Sequence, residues 1–227
     1  MTTSDLIPVH ENLPAQLSEG YHAFWNGRLK VEQDRFRHLA DVGQTPAVLL
    51  IGCCDSRVSP EVIFDARPGE IFVVRNIAAL VPPFEHDGAR QETSAAIEYA
   101  VLALKVAHIV VMGHAQCGGI RAFALGEAQQ FEPLSDANFV SRWKTLIQPA
   151  ADKLGPPFGD FDHYCESLSY ASILQGLSNL RTYPWVRERE AAGELTLHGA
   201  YFGVANGRMT VLDQAKGVFV PVIPVKA

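Results

Sequence analysis

Ala47-Val48-Leu49-Leu50-Ile51 runs into Gly52-Cys53-Cys54-Asp55-Ser56-Arg57-Val58, and His108-Ile109-Val110-Val111-Met112 runs into Gly113-His114-Ala115-Gln116-Cys117-Gly118-Gly119. Both apolar runs are short and β-branched, as strands buried on both faces of a parallel sheet are. Both deliver metal-ligating side chains where the run stops. Open α/β sheets bind their ligands at the carboxyl ends of such strands. The two stretches together predict one crevice holding Cys53, His114 and Cys117.

The rest of the chain fits that fold class. Between the runs, Ser59-Pro60-Glu61 offers an N-cap, a proline at the first helical position and an acid in the first turn. Pro68-Gly69 marks a turn, and Ile71 to Val74 reads as a short strand. Arg75 to Gln91, with Pro82, Pro83 and Gly88, reads as a long loop. A helix is expected from Glu92 to Val106, a short one after Gly118 through Leu125, and partial helix within Pro133 to Gly159. Further helices are expected from His163 to Arg181 and from Pro184 to Glu190. Thr196 to Ala205 and Arg208 to Leu212 read as a hairpin, with Asn206-Gly207 as a two-residue type I′ turn. The alternation of strand and helix predicts right-handed crossovers and a mostly parallel central sheet flanked by helices. If the first and third strands are neighbours with the second outside, winding reverses between them and the two loops meet there.

Residues 1–43 are expected to form an N-terminal helical arm on a core of 44–227, within one domain of 227 residues. A helical pattern covers about 14–41, and Phe24, Trp25 and Phe36 give it more apolar surface than a solvated arm requires. Packing on its own core or on a second subunit would each account for that surface.

A formal net charge of −6 and a pI near 5.7 argue against a nucleic-acid or anionic-membrane partner. No apolar run is long enough for a transmembrane helix, and the polar stretch Met1 to Glu11 does not read as a secretion signal. The four cysteines are too sparse for a disulfide framework and read as thiolates in a reducing compartment, with the cytoplasm as the expected location.

Cys53, His114 and Cys117 offer two thiolates and an imidazole, which leaves one corner of a tetrahedral zinc open, as in catalytic sites. A structural site with Cys54 as fourth ligand, or a redox pair of the vicinal cysteines, stays possible on the residues alone. Asp55 and Arg57, two apart, face the same side as Cys53 on extended backbone. An ionised Asp55 beside a neutralised metal needs its own compensation, which a bidentate Arg57 supplies. Ser56 reads as a loop hydrogen-bonder, because no histidine–acid relay stands near it.

Those motifs resemble the β-class carbonic anhydrases, and the resemblance runs from about Gln44 to the C-terminus. Arg75-Asn76-Ile77-Ala78, Ala95-Ala96-Ile97-Glu98-Tyr99-Ala100, Leu180-Arg181-Thr182-Tyr183-Pro184 and Leu197-His198-Gly199-Ala200-Tyr201 are family-like. The resemblance implies one Zn2+ per chain on Cys53, His114 and Cys117, with Asp55 and Arg57 as catalytic dyad. Gln44, Phe72, Tyr99 and Gly118 then take the substrate-binding positions of the plant-like branch. Another branch has tryptophan where this chain has Leu50, and plant-like members more often have alanine at Gly52. The implied reaction is reversible hydration of CO2 to bicarbonate and a proton by zinc-generated hydroxide, in a homodimer or dimer of dimers that shares pocket residues across its interface. In some relatives the aspartate moves onto zinc; with Gln44 and without that tryptophan, Asp55 is expected to stay off it. His86 is the first candidate for carrying the proton away. Hydrolysis of CS2 or COS on the same scaffold is the rival enzyme reading, and a non-catalytic zinc or redox sensor the rival outside enzymes.

Overall fold

A computed structural model describes residues 13–85, 91–127 and 134–222. The chain divides into two compact units, Met1–Gln44 and Thr45–Ala227.

The first unit holds α1 (Ala15–Asn26) and α2 (Arg28–Val42). The continuous helical pattern of the sequence is broken at Gly27, whose φ of −116° and ψ of −92° are not helical. The aromatic residues pack among themselves: Tyr21 lies 6.4 Å from Phe24, and Phe24 meets Phe36 edge-on at 5.9 Å. Leu17 and Trp25 stay exposed.

The second unit is built on six strands: β1 (Val48–Cys53), β2 (Ile71–Asn76), β3 (His108–His114), β4 (Thr196–Phe202), β5 (Met209–Asp213) and β6 (Val218–Pro221). Their order is β2-β1-β3-β4-β5-β6. The first four run parallel, β5 pairs antiparallel with β4, and β6 pairs antiparallel with β5. From β1 the chain steps outward to β2 and then crosses to β3 on the other side. The winding therefore reverses between β1 and β3, as anticipated, and the two ligand-bearing ends lie side by side.

Helices clothe this sheet. They are α3 (Pro60–Ile63), α4 (Gln91–Glu98), α5 (Gly118–Glu127), α6 (Phe139–Lys144), α7 (Gln148–Leu154), α8 (Phe161–Leu180) and α9 (Pro184–Ala191). One core joins Leu49, Ile51, Ile109, Val111 and Leu197 of the sheet to Ile173, Leu177 and Leu180 of α8. Each such side chain contributes roughly 1.5–3 kcal/mol by leaving water. Gly113 lets α8 come close: a Cβ there would stand 2.9 Å from Ile173 Cδ1. The N-terminus of α8 is capped by Asp160, which accepts the His163 N–H at 2.7 Å. A second core of Val58, Leu80, Ile120, Phe123, Leu146, Ile147 and Leu168 surrounds Cys53 and Cys117.

Several elements differ from expectation. The helix expected to reach Val106 is α-helical only to Glu98 and continues as a π-helical turn, Tyr99–Ala103. The strand read as ending at Val74 continues through Arg75 and Asn76. The loop between β4 and β5 spans residues 203–208, since Phe202 pairs with Met209, so Asn206-Gly207 is not a two-residue turn. Only Gly207 of that pair has positive φ, whereas type I′ needs both. Gly203 instead donates to Arg208 O at 2.7 Å and receives the Gly207 N–H at 2.8 Å, closing a wider loop. β6 adds a further antiparallel strand where only a hairpin was expected.

Candidate metal centre

β1 ends on Cys53 and β3 ends on His114; Cys117 follows in the turn that opens α5. All three are buried, and their ligand atoms lie within 4.8 Å of one another. Cys53 Sγ and Cys117 Sγ are 3.9 Å apart. Two sulfurs each ~2.3 Å from one tetrahedral ion stand ~3.8 Å apart, so the spacing fits zinc. All four cysteines are free.

His114 is 1% exposed, and its Nδ1 lies 2.9 Å from Ala115 O. A carbonyl only accepts, so Nδ1 carries the proton and Nε2 keeps its lone pair. Among the described residues that buried Nε2 has no hydrogen-bond partner. Such an orphan costs about 1–3 kcal/mol unless something binds it. A metal ligand whose other ring nitrogen is tied to a carbonyl has this arrangement. The donor set, the sulfur spacing and the orphaned nitrogen all fit zinc.

Without metal, the two sulfurs share a proton. The hydrogen bond between Cys53 Sγ and Cys117 Sγ lowers the Cys53 pKa against burial, helped by the backbone N–H groups of Asp55 and Ala78. Cys117 is pushed up by that same bond and by burial, opposed by the N–H groups of Ile120 and Gly119. Cys54 is exposed and stands outside the cluster, which removes it as a fourth ligand.

Asp55 sits beside this group, its Oδ2 4.0 Å from His114 Nε2. Arg57 grips it with Nε on Oδ1 at 2.9 Å and Nη2 on Oδ2 at 2.7 Å. The Arg57 backbone N–H adds a bond to Oδ1 at 3.0 Å, and the Val58 N–H reaches Asp55 O at 3.1 Å. The two residues thus converge through an Asp-initiated turn, not through the strand alternation the spacing suggested. Arg57 also donates to Gln116 O at 3.3 Å, tying the β1 loop to the β3 loop. The Arg57 side-chain bonds hold the Asp55 carboxyl well below the usual carboxylate range, against some burial. Ser56 is exposed in the turn.

Residues 48–209 match the carbonic anhydrase family. Beta carbonic anhydrase 6 of Arabidopsis thaliana, a mitochondrial protein, is 37% identical over 179 residues, 77% of this chain. The chain belongs to the β-carbonic anhydrase family. Beta carbonic anhydrase 5 of the same plant, chloroplastic, is 36% identical over 82% of this chain. The chain spans 59% and 60% of the length of these two relatives. Among solved structures, the β-carbonic anhydrase CcaA superposes with a TM-score of 0.81 at 31% identity, covering 91% of this chain and 98% of its own. A β-carbonic anhydrase of Sordaria macrospora, described as tetrameric, superposes with a TM-score of 0.71 at 31% identity, covering 86% of this chain and 94% of its own.

The β-carbonic anhydrase family is zinc-dependent, and Cys53, His114 and Cys117 are the group here that could bind one zinc. The expected cytoplasmic location is corrected by the same relatives, which are named for the mitochondrion and the chloroplast. Sparse cysteines and an acidic composition do not distinguish one compartment from another.

The substrate positions inferred from the β-carbonic anhydrase resemblance are Gln44, Phe72, Tyr99 and Gly118. Phe72 and Tyr99 pack on each other, ring centroids 5.9 Å apart, and Tyr99 is 51% exposed. Neither lines the two cavities that border Cys117, one of about 350 Å³ reaching Arg121, Asp160 and Tyr201 and one of about 10 Å³ behind His114. Gly118 opens α5 with free space where a Cβ would be. Gln44 closes the first unit. His86 lies outside the described residues. His198 is tied to His108 at 3.2 Å, and His163 lines the larger cavity.

Some supports went unread in the sequence. Arg75 donates to Cys53 O and Asp55 O. Asn76 brackets the next turn, donating to Leu80 O and receiving the Leu80 N–H, both at 2.8 Å. Ala78 and Ala79 in that turn have φ of 66° and 55°, unusual for residues other than glycine. Arg75 and Asn76 stand in a family-like stretch, but bonds to main-chain carbonyls leave no spacing pattern.

Proposed function

We propose that this chain catalyses the reversible hydration of CO2 to bicarbonate and a proton. The observation that carries the reading is Asp55, clamped by Arg57 beside a buried Cys53–His114–Cys117 trio. A structural metal site needs neither residue of that pair.

Cys53, His114 and Cys117 would hold zinc, which supplies the Lewis acidity that makes water deprotonate near neutral pH. The chain's own residues do the rest. His114 keeps Nε2 as a lone pair by donating Nδ1–H to Ala115 O. Asp55, ionised because Arg57 holds it, would accept a hydrogen bond from the attacking solvent and so orient that solvent's lone pair toward CO2. Arg57 neutralises the carboxylate and keeps it oriented. Two thiolates donate more charge than imidazoles, so the working pKa should lie above that of an all-histidine site.

Phe72, Tyr99, Gly118 and Gln44 form the CO2 pocket in this reading, completed by a second subunit. Support comes from the exposed Tyr99 beside the exposed Leu102, and from the relative described as tetrameric. A homodimer or dimer of dimers follows.

Stopped-flow CO2 hydration by zinc-loaded protein and its Asp55→Asn variant, from pH 6 to pH 9, tests the reading. The wild-type rate should rise toward alkaline pH, and the variant should keep its zinc while losing on the order of 100-fold in rate. No hydration by the wild type, a flat profile with zinc retained, or an undiminished variant would count against it.

A further inference from the structure

Arg75 lies on β2 opposite Gly52 of β1, one residue before the point where Cys53 pairs with Asn76. Its Nε donates to Cys53 O at 2.8 Å and its Nη2 to Asp55 O at 2.7 Å. Among the described residues it forms no ion pair. A half-buried guanidinium ordinarily meets a carboxylate; this one uses charge-assisted bonds on two main-chain carbonyls. The residues it grips are a metal-ligand cysteine and the aspartate beside the metal centre. Between them, the Cys54 N–H donates to Asn76 O at 2.9 Å, so three successive residues are anchored to β2.

Asp55 is therefore held at both ends. Arg57 holds the carboxylate, and Arg75, with the Val58 N–H, holds the carbonyl. The guanidinium is a rigid planar fork, so two carbonyls bound to it must keep a set spacing. Without it, among the described residues, Asp55 O would keep only the Val58 N–H, and Cys53 O would lose its side-chain partner.

We propose that Arg75 is a positioning residue, fixing the backbone at Cys53 and Asp55 so that the sulfur and the carboxylate keep one geometry toward the metal site. The inference rests on the carbonic anhydrase reading of that site, and the two can fail separately.

The test compares wild type, Arg75→Gln and Arg75→Lys, each loaded with Zn2+ for kinetics and with Co2+ for absorption spectroscopy. Arg75→Gln should keep one metal per chain and lose about 10–100-fold in kcat, with KM changed less. The visible Co2+ bands, which report ligand geometry, should shift in the same variant. Arg75→Lys should recover part of both, since an ammonium reaches one carbonyl but not two. Wild-type kcat in Arg75→Gln, or a lower kcat with an unchanged cobalt spectrum, would overturn the proposal. If Arg75→Gln does not fold, Arg75→Lys decides on the same two readouts. A wild type without CO2 hydration would sink the reading of the site, while the cobalt spectra still judge Arg75.

Discussion

At the scale of single residues, protonation accounts for much of the site. Ala115 O fixes the tautomer of His114, and the thiol pair divides its proton unequally, Cys53 lowered and Cys117 raised. Zinc binding to the metal-free chain at neutral pH should therefore release on the order of one proton from the thiol pair. Calorimetry in buffers of different ionisation enthalpy measures it; a release of two would mean that both cysteines start as thiols. Asp55 runs the other way. Its folded-state pKa lies below the unfolded value of ~3.9, so the stability it lends is present above that pH and is lost only as pH falls through the folded value. Its carboxylate stays charged across neutral pH, and a rate change between pH 6 and 9 originates elsewhere. The ligand residues were legible because soft side chains at two strand ends have few other uses. Arg75 was not, because a side chain bonded to main-chain carbonyls satisfies groups that every residue has.

At the scale of elements, the two glycines opening α5 do different work. A Cβ on Gly119 would stand 2.8 Å from Ile77 Cγ2 and 2.9 Å from Ala78 Cβ, while one on Gly118 meets nothing within 4 Å. Gly119→Ala should destabilise the fold by about 1–3 kcal/mol through overpacking. Gly118→Ala should cost less than about 1 kcal/mol, the helix-propensity difference favouring alanine. Thermal melts of both, with metal bound, check this; equal losses would mean that the β2 turn does not press on α5. Here the sequence was partly legible. β1 and β3 announced themselves as apolar runs, and Ser59-Pro60-Glu61 marked a helix, though the Ser59 hydroxyl donates to Glu61 at 3.0 Å and makes no cap bond to the backbone. The break at Gly27 was missed because one glycine inside a helical period is often tolerated, and the π-helical turn and β6 because apolar periodicity does not mark them. Asn206-Gly207 misled, since local turn propensity yielded to the strand register set by Phe202 and Met209.

At the scale of the whole molecule, the order β2-β1-β3 is what makes a metal centre. Reversing the winding between β1 and β3 sets Cys53 beside His114, though they are far apart in the chain. That order could be anticipated only as a condition, since periodicity identifies strands and not their neighbours. Tyr99 and Leu102, 51% and 48% exposed on the π-helical turn, leave an apolar surface that a second subunit would cover. Light scattering at micromolar concentration should report a dimer or dimer of dimers, and Tyr99→Asp should weaken it; a wild-type monomer would contradict the shared pocket. The central claim is that three side chains hold zinc and leave a fourth position to solvent beside Asp55. Zinc K-edge absorption of the holoprotein at neutral pH tests it most directly. The account predicts two sulfurs and two lighter ligands, unchanged in Asp55→Asn; a third sulfur, or a shell that loses a light atom with that substitution, would contradict it.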